Sequence, residues 1–253
     1  MTGSQTSFRL GYVPGVTPAK WARIWRDRSP RIPLELIQVA AADVVELVRS
    51  RQADAALLRL PIDRTGLHAI PLYVETTVVV IPKDHVVTAV EEVTAEDLAD
   101  ELMLHPLDDV LEWERPPGRV IDERPATTAD AIALVAAGTG LVVVPQSLAR
   151  LHHRRDLTFR PLLDAPESGV ALAWPEEETT ELMEQFIGIV RGRTVNTSRG
   201  SAPTKPSDAK SSSKATAAKR QPGGGKQQTS TGKRQAGSGK RQAGDGRRKK
   251  PRR

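Results

Sequence analysis

Apolar residues over the first 193 positions fall into short runs of two kinds, and the alternation of those kinds predicts the architecture. Phe8-Arg9-Leu10-Gly11-Tyr12-Val13 alternates with the two-residue period of a strand, and Pro14-Gly15 closes it as a turn. Thr17 is placed to cap a following helix, with Pro18 at its first position, where a missing N–H costs nothing. Trp21, Ile24 and Trp25 recur at helical spacing, and Ser29-Pro30 ends the run. A second strand is predicted over Leu34–Val39, a second helix over Ala41–Arg51 with Val44, Leu47 and Val48 on one face, and a short buried strand over Asp54–Leu58. Two strand–helix units in a row predict a parallel sheet with right-handed crossovers.

The second half keeps the rhythm. Thr76–Ile81 predicts a buried strand, Thr94–Asp100 a helix opened by Thr94-x-x-Asp97, and Leu102–His105 a strand. Leu107–Pro125 is acidic, then rich in Pro and Arg, and predicts loop with a short strand near Val120. Ala126–Ser147 is the most informative stretch. Thr127-Thr128-Ala129-Asp130 opens a helix as a capping box, and Ala131–Ala137 is apolar almost all round, which predicts cover on more than one side. Gly138 suits the left-handed position beyond the helix end, Gly140 keeps the turn tight, and Leu141–Val144 is a β-branched run expected of a parallel strand buried on both faces. A helix over Gln146–His153, strands over Leu157–Leu163 and Gly169–Trp174, and a closing helix over Glu177–Arg193 complete the body. Leu182, Phe186, Ile189 and Val190 form the last helix's apolar face, with Glu176–Glu178 at its start and Arg191 and Arg193 at its end to complement the dipole.

Several of these segments also carry a resemblance. "AIALVAAGTGLVVVPQSLA" is similar to the "LVAAGxGIxxLP" signature late in the substrate-binding domain of LysR-type transcriptional regulators. "FRLGYVPG", "IPLELIQV" and "RQADAALLRLP" match, in order, the opening of that domain, and "HAIPLYVETTVVVIPKDH" resembles its crossover between lobes. The resemblance covers roughly residues 8–193. It implies an α/β fold of two Rossmann-like lobes, of the type 2 periplasmic-binding-protein kind, joined by two crossover segments and closing over a small ligand. Lobe I would comprise about 8–75 and 165–193, and lobe II about 76–164. The family pairs such domains side by side and antiparallel, so a homodimer is implied. LysR-type regulators carry a winged helix-turn-helix and a linker helix ahead of this domain. Here the domain begins at residue 8, so that DNA reader is expected to be missing from this chain, which would act through a partner that has one or through its own tail.

In such a fold the ligand crevice lies at the carboxyl ends of the strands, where helix N-termini converge. By position the candidates for ligand contact are Thr17, Arg59, Thr127, Thr128, Gln146 and Ser147. Hydroxyls and free N–H groups there favour a carboxylate or another small anion, with Arg59 as its partner. Plain helix capping accounts for each threonine equally well, and a surface ion pair for Arg59.

Charge divides the chain in two. Its formal net charge is +6, yet residues 1–195 hold 20 Lys+Arg against 29 Asp+Glu, and residues 196–253 hold 17 against 2. After Val195 there is no Val, Ile, Leu, Met, Phe, Trp or Tyr, so 196–253 is expected to be a disordered tail. It repeats Gly-Lys-Arg-Gln-Ala-Gly from Gly232 and again from Gly239. Lys219, Arg220, Lys226, Lys233, Arg234, Lys240, Arg241, Arg247, Arg248, Lys249, Lys250, Arg252 and Arg253 are spaced cations suited to phosphate backbones without base readout. With no aromatic interleaved, stacking on single-stranded bases is not offered. A solubilising tail, or one resting on the acidic body, and an anionic membrane are the competing readings, the last lacking any apolar or lipid anchor.

The chain has no Cys, which excludes disulfides and thiolate chemistry and fits a reducing compartment. No signal-peptide pattern and no stretch of transmembrane length is present, so a cytoplasmic, nucleoid-associated location is expected. Neither the five histidines nor the acidic pairs Glu91-Glu92 and Asp108-Asp109 show metal or acid–base spacing, and no P-loop, G-x-S-x-G or G-x-G-x-x-G occurs. No cofactor and no metal site is expected. The reading is therefore a non-enzymatic sensor of a small-molecule effector, acting in transcriptional regulation, with a tail that binds nucleic acid. An enzyme on the same fold, or a cytoplasmic solute-binding protein, is the alternative.

Overall fold

A computed structural model describes residues 7–177 and 179–192. The chain opens with β1 (Phe8–Tyr12), α1 (Ala19–Arg28), β2 (Leu34–Gln38), α2 (Val44–Arg49), β3 (Ala55–Leu60) and β4 (Leu67–Glu75). β5 (Thr77–Pro82) then starts a second lobe, followed by β6 (Leu102–Leu104), β7 (Arg119–Val120), α3 (Thr128–Ala136), β8 (Leu141–Pro145), α4 (Gln146–Leu151) and β9 (Leu157–Pro161). The chain returns to the first lobe through β10 (Ser168–Pro175) and α5 (Glu181–Val190).

Each lobe is a five-stranded sheet. The order is β2-β1-β3-β10-β4 in lobe I and β7-β6-β8-β5-β9 in lobe II. β1 runs parallel to β2 (Leu10 opposite Leu36) and to β3 (Leu10 opposite Ala55), as two strand–helix units demand. Neither sheet is wholly parallel, however. β10 lies antiparallel to β3 and β4, and β5 antiparallel to β8 and β9, because these two strands carry the chain between lobes. β8 is buried along its whole length, as expected, but in a mixed sheet.

Five other expectations are corrected. Thr17 does not cap α1, since Pro18 occupies the cap position and no side chain bonds there. The helix expected over Ala41–Arg51 is only six residues long, a turn taking up its first positions. Over Thr94–Asp100 the capping box forms, the Asp97 carboxylate accepting from the Thr94 N–H at 2.8 Å and from its hydroxyl at 2.9 Å. Only a 3₁₀ turn, Glu96–Leu98, follows it. Like charges at Glu92/Glu96, Glu96/Asp100 and Asp97/Glu101 oppose a longer helix, and Leu98 alone in the turn anchors it to the core. α3 buries Ala131, Ile132 and Val135 but leaves Ala133, Leu134 and Ala137 exposed, so it is covered on one side. α5 starts three residues after Glu178, capped by the Thr180 hydroxyl. Glu181 and Glu184 lie in its first turn, and it buries Met183 and Ile187 beside Phe186 and Ile189.

β4, read from sequence only as part of a crossover, is a nine-residue edge strand. Pro71 is tolerated there because an edge strand has a side that needs no donor, and a bulge at Leu72 absorbs the break in register. The expected tail, 196–253, lies outside the described residues.

Candidate ligand-binding cleft

The lobes meet along a cleft of about 560 Å³. Its lobe I wall is Pro14, Gln38, Arg59 and the alanine run Ala40–Ala42, which follows β2. Its lobe II wall is Leu107–Val110, Thr127–Ala129 at the start of α3, Leu148 and Leu151 on α4, and His152 directly after it. A second hollow of about 500 Å³ shares Gln38 and Leu151 with it and runs on past Gly15, Thr17 and Ser147.

Arg59 organises the junction. It is the penultimate residue of the buried strand β3 and is itself only 6% exposed. Its Nε donates to Glu75 Oε2 at 3.1 Å, Nη1 to the carbonyl of Pro14 at 2.8 Å, and Nη2 to Ser147 Oγ at 3.0 Å. The ion pair with Glu75 has both side chains below 10% exposure. One guanidinium thus ties together the turn after β1, the segment that leaves lobe I, and the first helical turn of α4 in lobe II. Gly15 makes this approach possible. It has φ +84°, and a Cβ there would stand 2.6 Å from Ser147 Oγ and 2.8 Å from Arg59 Nη2.

The candidate contact residues are not equivalent. Arg59, Thr127 and Thr128 line the main cleft, whereas Thr17 and Ser147 line the adjoining hollow. Gln146 lies outside both sets, and its N–H caps the first crossover by donating to the carbonyl of Thr76 at 2.9 Å. Thr127 is a helix cap, its hydroxyl accepting from the Asp130 N–H at 3.1 Å. Thr128 is buried and donates its hydroxyl to Asp108 Oδ1 at 2.9 Å. The cation expected to meet an anionic ligand is already matched by Glu75.

Sequence reasoning missed Glu75 and gave the Asp108-Asp109 pair no role. Both aspartates line the cleft. Asp109 accepts from the Leu111 N–H at 3.0 Å and faces His105 Nε2 at 2.9 Å. Burial holds the Asp109 carboxyl above the usual carboxylate range, against the opposing pull of Leu111, His105 and Trp113. Glu75 could have been found as a charge closing the apolar run of β4, directly before a buried strand. Among the described residues no group of three His, Asp or Glu could hold a metal ion. No described helix is long and apolar enough to cross a membrane.

Two mixed α/β lobes that cross over twice and enclose a cleft define a ligand-binding domain of the type 2 periplasmic-binding-protein class. Within that class the chain belongs to the LysR substrate binding domain family, whose pattern matches residues 2–194. It is 28% identical over 178 residues to a probable hydrogen peroxide-inducible genes activator of Mycobacterium avium, covering 65% of this chain and 57% of that protein. It is 26% identical over 221 residues to the HTH-type transcriptional regulator AlsR of Bacillus subtilis (strain 168), covering 80% and 71% respectively. The chain therefore spans just over half of the first relative. Among solved structures, the BenM effector binding domain with its effector benzoate superposes with a TM-score of 0.64 at 21% identity, covering 75% of this chain and 92% of that one. The oxidised form of OxyR gives 0.63 at 20% identity, covering 75% and 97%. These two likenesses establish the fold. The relatives are transcriptional regulators, not enzymes.

Proposed function

We propose that this chain senses a small molecule in the interlobe cleft and passes its occupancy to a transcriptional response. The observation that carries this reading is Arg59, a buried guanidinium at the cleft that bonds residues of both lobes. A ligand seated beside it bears on lobe closure directly, because Ser147 and Pro14 share its donors. Arg59, Thr127, Thr128, Thr17 and Ser147 are the contact positions the geometry supports. Gln146 contributes by shaping the crossover. The BenM effector binding domain, which shares this fold, is found with its effector benzoate, and that supports a small-molecule ligand for this chain.

Sheet membership supports a division into lobe I, about 8–75 and 165–193, and lobe II, about 76–164. The domain acts in the cytoplasm as a homodimer or beside a partner carrying a DNA-binding domain. Residues 196–253 contact nucleic acid through phosphates alone. Their 17 Lys+Arg against 2 Asp+Glu support this, and nucleoid association would follow from it.

Two measurements test the proposal. Filling the cleft with Ala41→Trp should abolish the thermal shift given by any small molecule that stabilises the full chain, and an undiminished shift would refute the cleft. For the tail, the full chain should bind duplex DNA with an affinity that falls steeply as salt rises, and a truncation ending at Val195 should not bind. Equal binding by both forms would refute the tail's role.

A further inference from the structure

We infer that the cleft selects a ligand with an apolar body and a positively charged, hydrogen-bond-donating head, and that Asp108 is the residue that receives the head. The inference rests on the cleft being the ligand site. It differs from the sequence expectation of an anion, and the reason is which charges in the cleft are already matched.

The single guanidinium of the lining spends three donors on Pro14, Glu75 and Ser147. A carboxylate ligand that took one of its remaining N–H groups would stand beside the buried Glu75 carboxylate, two anions sharing one cation. The rest of the lobe I wall offers little to an anion. Ala40, Ala41 and Ala42 present only methyl groups, and Gln38 is neutral. Opposite them, Asp109 already faces His105 and accepts from the Leu111 N–H. Asp108 is different. Its one hydrogen bond comes from the neutral hydroxyl of Thr128, and among the described residues no cation lies within ion-pair distance of it. It is exposed on the rim of the cleft. His152 is the remaining titratable group of the lining.

The wider field acts in the same direction. Residues 76–164, which build lobe II, hold 16 Asp+Glu against 8 Lys+Arg, so a cation is drawn to this wall and an anion repelled. Leu107, Val110, Leu148 and Leu151 supply the apolar surface on which the body of the ligand would lie. The ligand class is thus a hydrophobic amine or a hydrophobic guanidine.

Three probes of one shape test this on the full chain: benzylamine, benzyl alcohol and benzoate, titrated by calorimetry at low salt near neutral pH. Binding that Ala41→Trp removes is assigned to the cleft. Benzylamine is expected to bind there about tenfold more tightly than benzoate, as a charge-assisted hydrogen bond replaces charge repulsion. Asp108→Asn, which keeps an acceptor for Thr128, should erase the preference, and Asp108→Glu should retain it. If benzoate binds the cleft more tightly, the cleft reading stands and the inference falls. A preference that survives Asp108→Asn in a variant that melts like the parent also overturns it. If no probe shows binding sensitive to Ala41→Trp, the cleft reading itself falls.

Discussion

The two lobes have equal numbers of strands and are held together differently. Lobe I has one continuous core, in which Phe8, Trp25 and Phe186 pack with ring centroids 5.0–5.8 Å apart. Lobe II has an aliphatic core divided by its sheet. One part, around Ile132, Val142 and Leu148, is covered by α3 and α4, and the other, around Val79, Leu98 and Leu111, by irregular chain. A segment with few regular hydrogen bonds yields more readily than a packed helix. Lobe II's irregular side includes the loop after β6 that carries Asp108 and Asp109 to the cleft. Lobe I supplies the guanidinium of the cleft, and the irregular chain of lobe II supplies the two aspartates that face it.

Mutations can break this contrast. Phe186→Ala removes the ring shared by both other aromatics and should cost about 3–5 kcal/mol in denaturant unfolding. Leu98→Ala should cost only about 2–3 kcal/mol, since the irregular chain above it can settle into the cavity. Equal costs would show that the two covers are equally stiff.

At the junction, Arg59→Met should cost about 3–5 kcal/mol by leaving Glu75 buried without a counter-charge. Adding Glu75→Leu should restore most of it, because a matched apolar pair needs no charge compensation. If the double variant is no better than the single, the bonds to Pro14 and Ser147, not the ion pair, hold the lobes. Thr127→Ala should cost about 1 kcal/mol, the value of a helix cap. A much larger effect on ligand binding than on melting would add a contact role.

The smallest effect concerns pH. Burial raises the Asp109 carboxyl, so the native state takes up a proton there before the unfolded chain does. Stability from this group is therefore present at low pH and lost as pH rises through the raised value. The melting temperature of the parent, relative to Asp109→Asn, should climb as pH falls from 7 towards 4. A flat difference would place Asp109 outside the native titration.

Period and punctuation made most of the elements legible. β1, β2, β3 and β8 lie where alternation or β-branched runs put them, and α3 begins at its capping box, because local pattern and tertiary burial agree there. Helix lengths were less legible. The Thr94 box is a true start signal, yet the chain beyond it lacks the apolar stripe that sustains a helix. β4 was hidden because Pro71 and the bulge at Leu72 interrupt its alternation. At the cleft, Arg59 could be placed from its position close to the end of a buried strand. Its partner could not, since Glu75 lies sixteen residues away and only the antiparallel entry of β10 between β3 and β4 brings the two strands into one sheet. For the same reason Asp108 reads in sequence as part of one of several acidic pairs, and only the path of its loop brings it to the cleft.

The return of the chain through β10 and α5 has a consequence for biosynthesis. Lobe II is one uninterrupted segment and is complete once β9 has left the ribosome. Lobe I must wait for β10, the strand that joins β3 to β4, and for Phe186, which are among the last parts of the domain to emerge. The lobe with the aromatic core is thus the later to close, and until then Phe8 and Trp25 lack the Phe186 ring they pack against.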